Sequence, residues 1–165
     1  MGIIFIIISL ILDGIMNNLL PFINLSLFTP LLTLISIIII YPLYIKKEKE
    51  YLITIFVTGI IYDLLYTNQL FLNGVIFILI GLVIMNLYKK ITINYFNILI
   101  ITLIIIMIYI LIESLILLVF NIVPISINKV LYIISNSILL NLIYSELLYV
   151  IMRHIPKKYK KISIN

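Results

Sequence analysis

Charged side chains are so sparse along this chain that they divide it into long apolar runs, six of which stand out: residues 3–21, 28–45, 51–67, 71–88, 94–122 and 130–153. Each run is close to the about 20 apolar residues a helix needs to cross a hydrocarbon core of about 30 Å. Turn chemistry marks their ends. Pro21 closes the first run, Thr29 and Pro30 open the second, and Pro42 falls in its last turn. Asn121 and Pro124 end the fifth, and Pro156 follows the sixth. Proline is tolerated best near helix ends, where the N–H it lacks has no helical partner to lose. The pattern therefore predicts an all-α polytopic membrane protein. It is a bundle of six transmembrane helices forming one domain over residues 1–153, with residues 154–165 as a basic tail. The connections are about ten residues or shorter, which leaves no separate domain outside the membrane. The first run has no basic segment before it and no small-residue cleavage site after it, so it reads as a retained span rather than a signal peptide.

Composition narrows the class further. Of 165 residues, 65% are hydrophobic and 10% charged, with a mean hydropathy of +1.35. Soluble domains run about 45–50% apolar and about 25% charged. This balance excludes a soluble globular fold, a disordered chain and a nucleic-acid-binding module. The absence of cysteine removes disulfides and thiolate chemistry.

The formal charge of +5 becomes a topology signal once its residues are placed. Lys46, Lys47 and Lys49 lie between the second and third runs, and Lys89 and Lys90 between the fourth and fifth. Arg153, Lys157, Lys158, Lys160 and Lys161 lie at or beyond the end of the sixth. With six spans, these ten of the eleven basic residues fall on one side, and Lys129 alone falls on the other. Basic loops stay in the cytoplasm, so both termini are expected to be cytoplasmic. The basic tail can also touch anionic lipid headgroups.

Four acids interrupt the runs: Asp13, Asp63, Glu113 and Glu146. A charge at mid-span costs about 2.5–3.5 kcal/mol, so each needs a reason. Asp13, Asp63 and Glu113 fit a polar cavity open to the outside that takes a cation, a proton or a substrate amine. They fit equally a set of carboxyls satisfied by hydrogen bonds, as Asp63 could be by the neighbouring Thr67, Asn68 and Gln69. Glu146, two turns before Arg153, reads as interfacial. In the sixth run Ser137, Asn141 and Ser145 recur every four residues and share one helix face, the spacing of a helix–helix contact. Gly74 and Gly81 share a face of the fourth run and admit a close neighbour. No catalytic, metal or cofactor constellation appears, and His154 is the only histidine. The chain reads as a nonenzymatic protein without cofactors.

Residues 59–81 carry more than composition. A glycine, three residues, an aspartate, two apolar residues, a short turn and then an apolar helix entered by asparagine form a recognisable order, held here by Gly59, Asp63 and Asn73. This stretch resembles the central signature of the MreD family of bacterial rod-shape-determining proteins. Pro30 and the Ser137–Asn141 segment also resemble family positions, whereas Asn68 and Phe71 stand where glycines are usual and Glu146 replaces an expected proline. The resemblance implies a noncatalytic membrane component of the cell-wall elongation machinery that helps maintain cell shape. Its partners would be an MreC-like membrane protein, the MreB filament system, and through MreC a RodA-type glycosyltransferase with its transpeptidase. Helix–helix recognition would be its mechanism, with the Ser137–Asn141–Ser145 face and the Asp63–Asn73 hairpin as the polar positions involved. The family's helical core is also similar to the S components of ECF vitamin transporters. That similarity supplies an alternative, a substrate-binding S component whose outward cavity is lined by Asp13, Asp63 or Glu113.

Overall fold

The computed structural model describes residues 2–22, 29–45, 47–67, 71–120 and 126–154. They form six α-helices, α1 (Gly2–Phe22), α2 (Leu32–Leu43), α3 (Glu48–Tyr66), α4 (Leu72–Lys90), α5 (Tyr95–Val119) and α6 (Ile127–His154), and no strand occurs among them. Isoleucine is a mediocre helix former in water. In hydrocarbon the backbone has no solvent partner, and a helix is the one local structure that satisfies every N–H and C=O within the segment.

The helices alternate in direction and pair as three hairpins. A Cβ on Gly2, at the start of α1, would touch Ile40 and Tyr44 at the end of α2. Lys89 at the end of α4 pairs with Glu48 at the start of α3, at 2.8 Å. The rings of Tyr95 and Tyr149 meet edge to face at 4.9 Å between the start of α5 and the end of α6, and the Arg153 guanidinium lies 5.3 Å from the Tyr95 ring. Lys47, Lys49, Lys89, Lys90 and Arg153 therefore gather at one end of the bundle, the basic end, while α4 and α6 begin at the opposite end.

At the centre sits α2, packed against α1, α4, α5 and α6, with the Tyr51 hydroxyl of α3 donating to the Ile37 carbonyl at 3.1 Å. All nine residues from Leu32 to Ile40 are buried. Here the expected second span needs correcting. The helix covers 12 residues rather than the whole of 28–45, a length of about 18 Å. Residues 29–31 are nonhelical, and the chain reaches the helix start deep in the protein interior. Four helices, α1, α4, α5 and α6, are long and apolar enough to cross a membrane. Glu48, Lys49 and Glu50 in the first turn of α3, with Asp63 further along, set that helix apart; the two acids of that turn suit the positive helix N-terminus. The other boundaries lie within about three residues of expectation at described positions, the usual spread for helix ends. Lys46, the turn at Asn68 and Gln69, the end of the fifth run at Asn121 and Pro124, and the basic tail with Pro156 lie outside the described residues.

The tightest junction joins α3 and α4. Gly59 lies against the α4 backbone, and Gly74 and Gly81 face back toward Phe56, Ile60 and Ile55 of α3. Phe71, immediately before α4, is left-handed with φ 68° and ψ −1°. This is where the family resemblance expects glycine, and a side chain in that conformation costs about 1–2 kcal/mol. The Phe71 ring is mostly exposed, at 54%, so it recovers little by packing. Phe71→Gly is expected to raise the thermal midpoint of the detergent-solubilised protein by a few degrees; a lowered midpoint would show that the ring is needed where it is.

Candidate functional site

Two of the span acids are consumed by helix capping. Asp13, fully buried in α1, receives the N–H of Leu32 on Oδ1 at 2.8 Å, and on Oδ2 the N–H and hydroxyl of Thr33 at 2.8 and 2.5 Å. The first turn of any helix has N–H groups without helical partners, and in the interior of a membrane protein water does not serve them. Asp13 serves them for α2 across a helix–helix contact. Asp63, also buried, does the same for α4. Its Oδ2 accepts from the Asn73 N–H at 2.8 Å, and its Oδ1 accepts from the Asn73 amide at 2.7 Å and the Thr67 hydroxyl at 2.9 Å. A carboxylate is acceptor-only and adds favourable charge at a helix N-terminus, so aspartate suits both positions.

Asn73 extends the second cap to α5, where the Tyr109 hydroxyl donates to its Oδ1 at 2.9 Å. The α6 stripe extends the first. Asn141 accepts from the Leu31 N–H at 2.8 Å and donates to the Thr29 carbonyl at 2.9 Å, while the hydroxyls of Ser137 and Thr29 are in contact. Ser9 and Tyr144 share a hydrogen bond of 2.7 Å between α1 and α6, and the Tyr66 hydroxyl donates to the Leu10 carbonyl at 2.5 Å. The result is a polar seam through the half of the bundle away from the basic end. Ser137, Asn141 and Ser145 are all fully buried within the chain. Ser137 and Asn141 thus meet Thr29 and Leu31 in the segment that leads into α2, while the Ser145 hydroxyl donates to the Leu142 carbonyl of its own helix at 2.8 Å.

Acids fall 50 residues apart on the first helix of each hairpin, at 13, 63 and 113. Glu113 behaves differently from its counterparts. Among the described residues no backbone N–H donates to it, and it lines a cleft of about 520 Å³ bounded by α1, α3 and α5. Gly14, Asn17, Asn18, Tyr62, Tyr66 and Tyr109 line it as well. Among the described residues that line this cleft Glu113 is the one acid, whereas Asp13 and Asp63 face helix N-termini. Glu146 lies on α6, away from seam and cleft, with Oε1 buried and unpartnered. Among the described residues no group of three or more His, Asp or Glu side chains is placed to hold a metal ion.

Tyr66, Tyr109, Tyr144, Ser9, Thr29 and Thr33 were not legible from the sequence as parts of the seam. Tyrosine in a span usually marks the membrane interface, and nothing in the order of residues says which backbone group a hydroxyl will reach. Only Ser9 carried a hint, four residues before Asp13 and hence on its face.

Comparison with curated proteins and with solved structures returns no match. The family model of rod shape-determining protein MreD, by contrast, matches residues 1–159 of the 165-residue chain, and its span takes in both caps, the α6 stripe and the cleft, so the chain belongs to the MreD family of rod-shape-determining membrane proteins.

Proposed function

We propose that this protein is a noncatalytic component of the bacterial cell-wall elongation machinery, acting as a rigid helical platform for an MreC-like membrane protein. Membership of the MreD family over nearly the whole chain carries the reading. The seam supports it physically. Asp13, Asp63, Tyr66 and Tyr109 are each tied to another helix of the same chain, which suits a fixed shape better than a moving catalytic or transport cycle. Most of what faces outward is apolar. On α1, Ile4, Ile8, Ile11 and Ile15 are each about half exposed and follow helical spacing, a surface open to lipid or to a partner helix. Through the MreC-like partner the platform would engage a RodA-type glycosyltransferase, its transpeptidase and MreB filaments.

In this reading the six-helix bundle is embedded across the plasma membrane, with the short α2 held inside it. The alternation of the helices supports it, because it gathers the described basic residues other than Lys129 at one end. By the positive-inside preference that end is cytoplasmic and both termini lie there. A second reading, an S component of an ECF-type vitamin transporter with a similar fold, draws on one observation, the cleft at Glu113. It would use neither Asp13 nor Asp63 as a ligand.

Depletion in the native cell separates the two. The expected result is rounded or widened cells, with a photoreactive residue at Ile8 or Ile11 crosslinking to a single-span MreC-like protein. Normal rods with a defect in vitamin uptake would overturn the first reading and favour the second.

A further inference from the structure

The cleft between α1, α3 and α5 holds chemistry that the platform role does not use. Its volume of about 520 Å³ falls in the range of small-ligand sites, about 300–1,000 Å³. Its wall combines one carboxylate, Glu113, with the tyrosines 62, 66 and 109 and the amides of Asn17 and Asn18. The Tyr66 and Tyr109 hydroxyls are engaged on the protein side, with Leu10 and Asn73. The Tyr109 hydroxyl also hydrogen-bonds Glu113, so the two tyrosines offer the cleft ring surface and, beside Glu113, one hydroxyl. Asn17 and Asn18 are exposed although they lie within a span. Amides facing bare hydrocarbon are costly, so the cleft is suited to polar contents.

The charge balance names those contents. Among the described residues no Lys, Arg or His lines the cleft. None occurs in residues 23–28, 68–70 or 121–125 of the sequence. Lys129, the one basic residue among those described away from the basic end, is exposed on α6, which contributes no described residue to the cleft wall. A cation for Glu113 must come from another molecule. A carboxylate beside aromatic rings favours an organic ammonium, through the charge pair and through cation–π attraction.

We propose that the cleft binds a molecule bearing a primary ammonium group, with Glu113 as its countercharge, the tyrosine rings packed around it and the two asparagines bonding the polar groups next to it. Such a group reaches the cleft either on the headgroup of an aminophospholipid or on a soluble amine. The inference rests on the cleft alone, so its failure leaves the cell-shape reading intact, and the reverse holds too.

The test uses the full chain in detergent. Native mass spectrometry compares phosphatidylethanolamine with phosphatidylglycerol of identical acyl chains, and saturation-transfer NMR compares ethanolamine with the uncharged ethylene glycol. At least one ammonium probe is expected to bind in preference to its uncharged or anionic counterpart. Glu113→Gln should weaken that binding about tenfold, the loss of one charge-assisted contact, while Glu113→Asp retains part of it and Glu146→Gln changes nothing. Preference for phosphatidylethanolamine assigns a lipid, and binding of ethanolamine alone assigns a soluble amine. Absence of preference for either ammonium probe overturns the proposal, as does binding that Glu113→Gln leaves unchanged. The probe comparison on the unmodified chain decides the matter even if Glu113→Gln does not fold.

Discussion

Asp13→Ala is expected to leave little folded protein. The substitution strips the acceptor from three donors at once, the N–H groups of Leu32 and Thr33 and the Thr33 hydroxyl. The hydroxyl can rotate toward another acceptor, but the two N–H groups are fixed by the first turn of α2 in a region with no solvent. Each buried donor left without a partner costs about 1–3 kcal/mol, so the pair amounts to about 2–6 kcal/mol, a large share of the about 5–15 kcal/mol that holds a typical domain together. The damage falls on the helix every hairpin touches. Asp13→Asn keeps one acceptor oxygen and should lose about half as much. Thermal midpoints by fluorescence-detected size exclusion measure both, with the order wild type, Asn variant, Ala variant. A variant that melts like the wild type would show that the carboxylate is not the cap of α2. That outcome would return Asp13 to the set of candidate ligands, where the transport reading wanted it.

How much of this could be read from the residues alone depends on the range of the contact. The helices were legible because hydrocarbon length and charge placement act on each segment independently. Asp63 was half legible, since Thr67 lies one turn away on its own helix, although its stronger partner is Asn73 on the next. The α6 stripe announced a helix contact by its four-residue spacing but not which helix it would meet. In a soluble bundle an apolar face points inward and tells the partner's direction. Here both faces are apolar, and only sparse polar residues carry that information. Asp13 shows the limit. Its partners are 19 and 20 residues away, behind a start of α2 that no run of hydrophobicity marks. Seen in one dimension, residues 13, 63 and 113 are three similar acids. In the fold, two meet bare helix N-termini and become structural, and the third meets a cleft.

Gly59→Ala is the second change with a large expected effect, and it acts through shape rather than charge. A Cβ at this position would lie 2.6 Å from the carbonyl oxygen of Asn73 and 2.6 Å from both N and Cα of Gly74. These are backbone atoms, so no rotamer change relieves the contact. Reaching 3.4 Å, the onset of ordinary van der Waals contact, means moving α3 and α4 apart by 3.4 − 2.6, or 0.8 Å. Overpacking alone costs about 1–3 kcal/mol. The displacement also carries Asn73 away from Asp63, whose bonds to it are 2.7 and 2.8 Å long, and each charge-assisted bond so weakened costs up to about 1.5–3 kcal/mol. Gly81→Ala is the matched comparison. Its new Cβ would meet the flexible end of Ile55, which can turn aside, so a smaller loss is expected. The Gly59 variant should appear at low abundance in the membrane and fail to restore rod shape to depleted cells, while the Gly81 variant restores it at least in part. Combining Gly59→Ala with Asp63→Ala should cost less than the sum of the two, because both open the same junction. Full additivity would mean that the cap and the glycine contact act separately, and that the α3–α4 hairpin is not the single rigid unit its geometry describes.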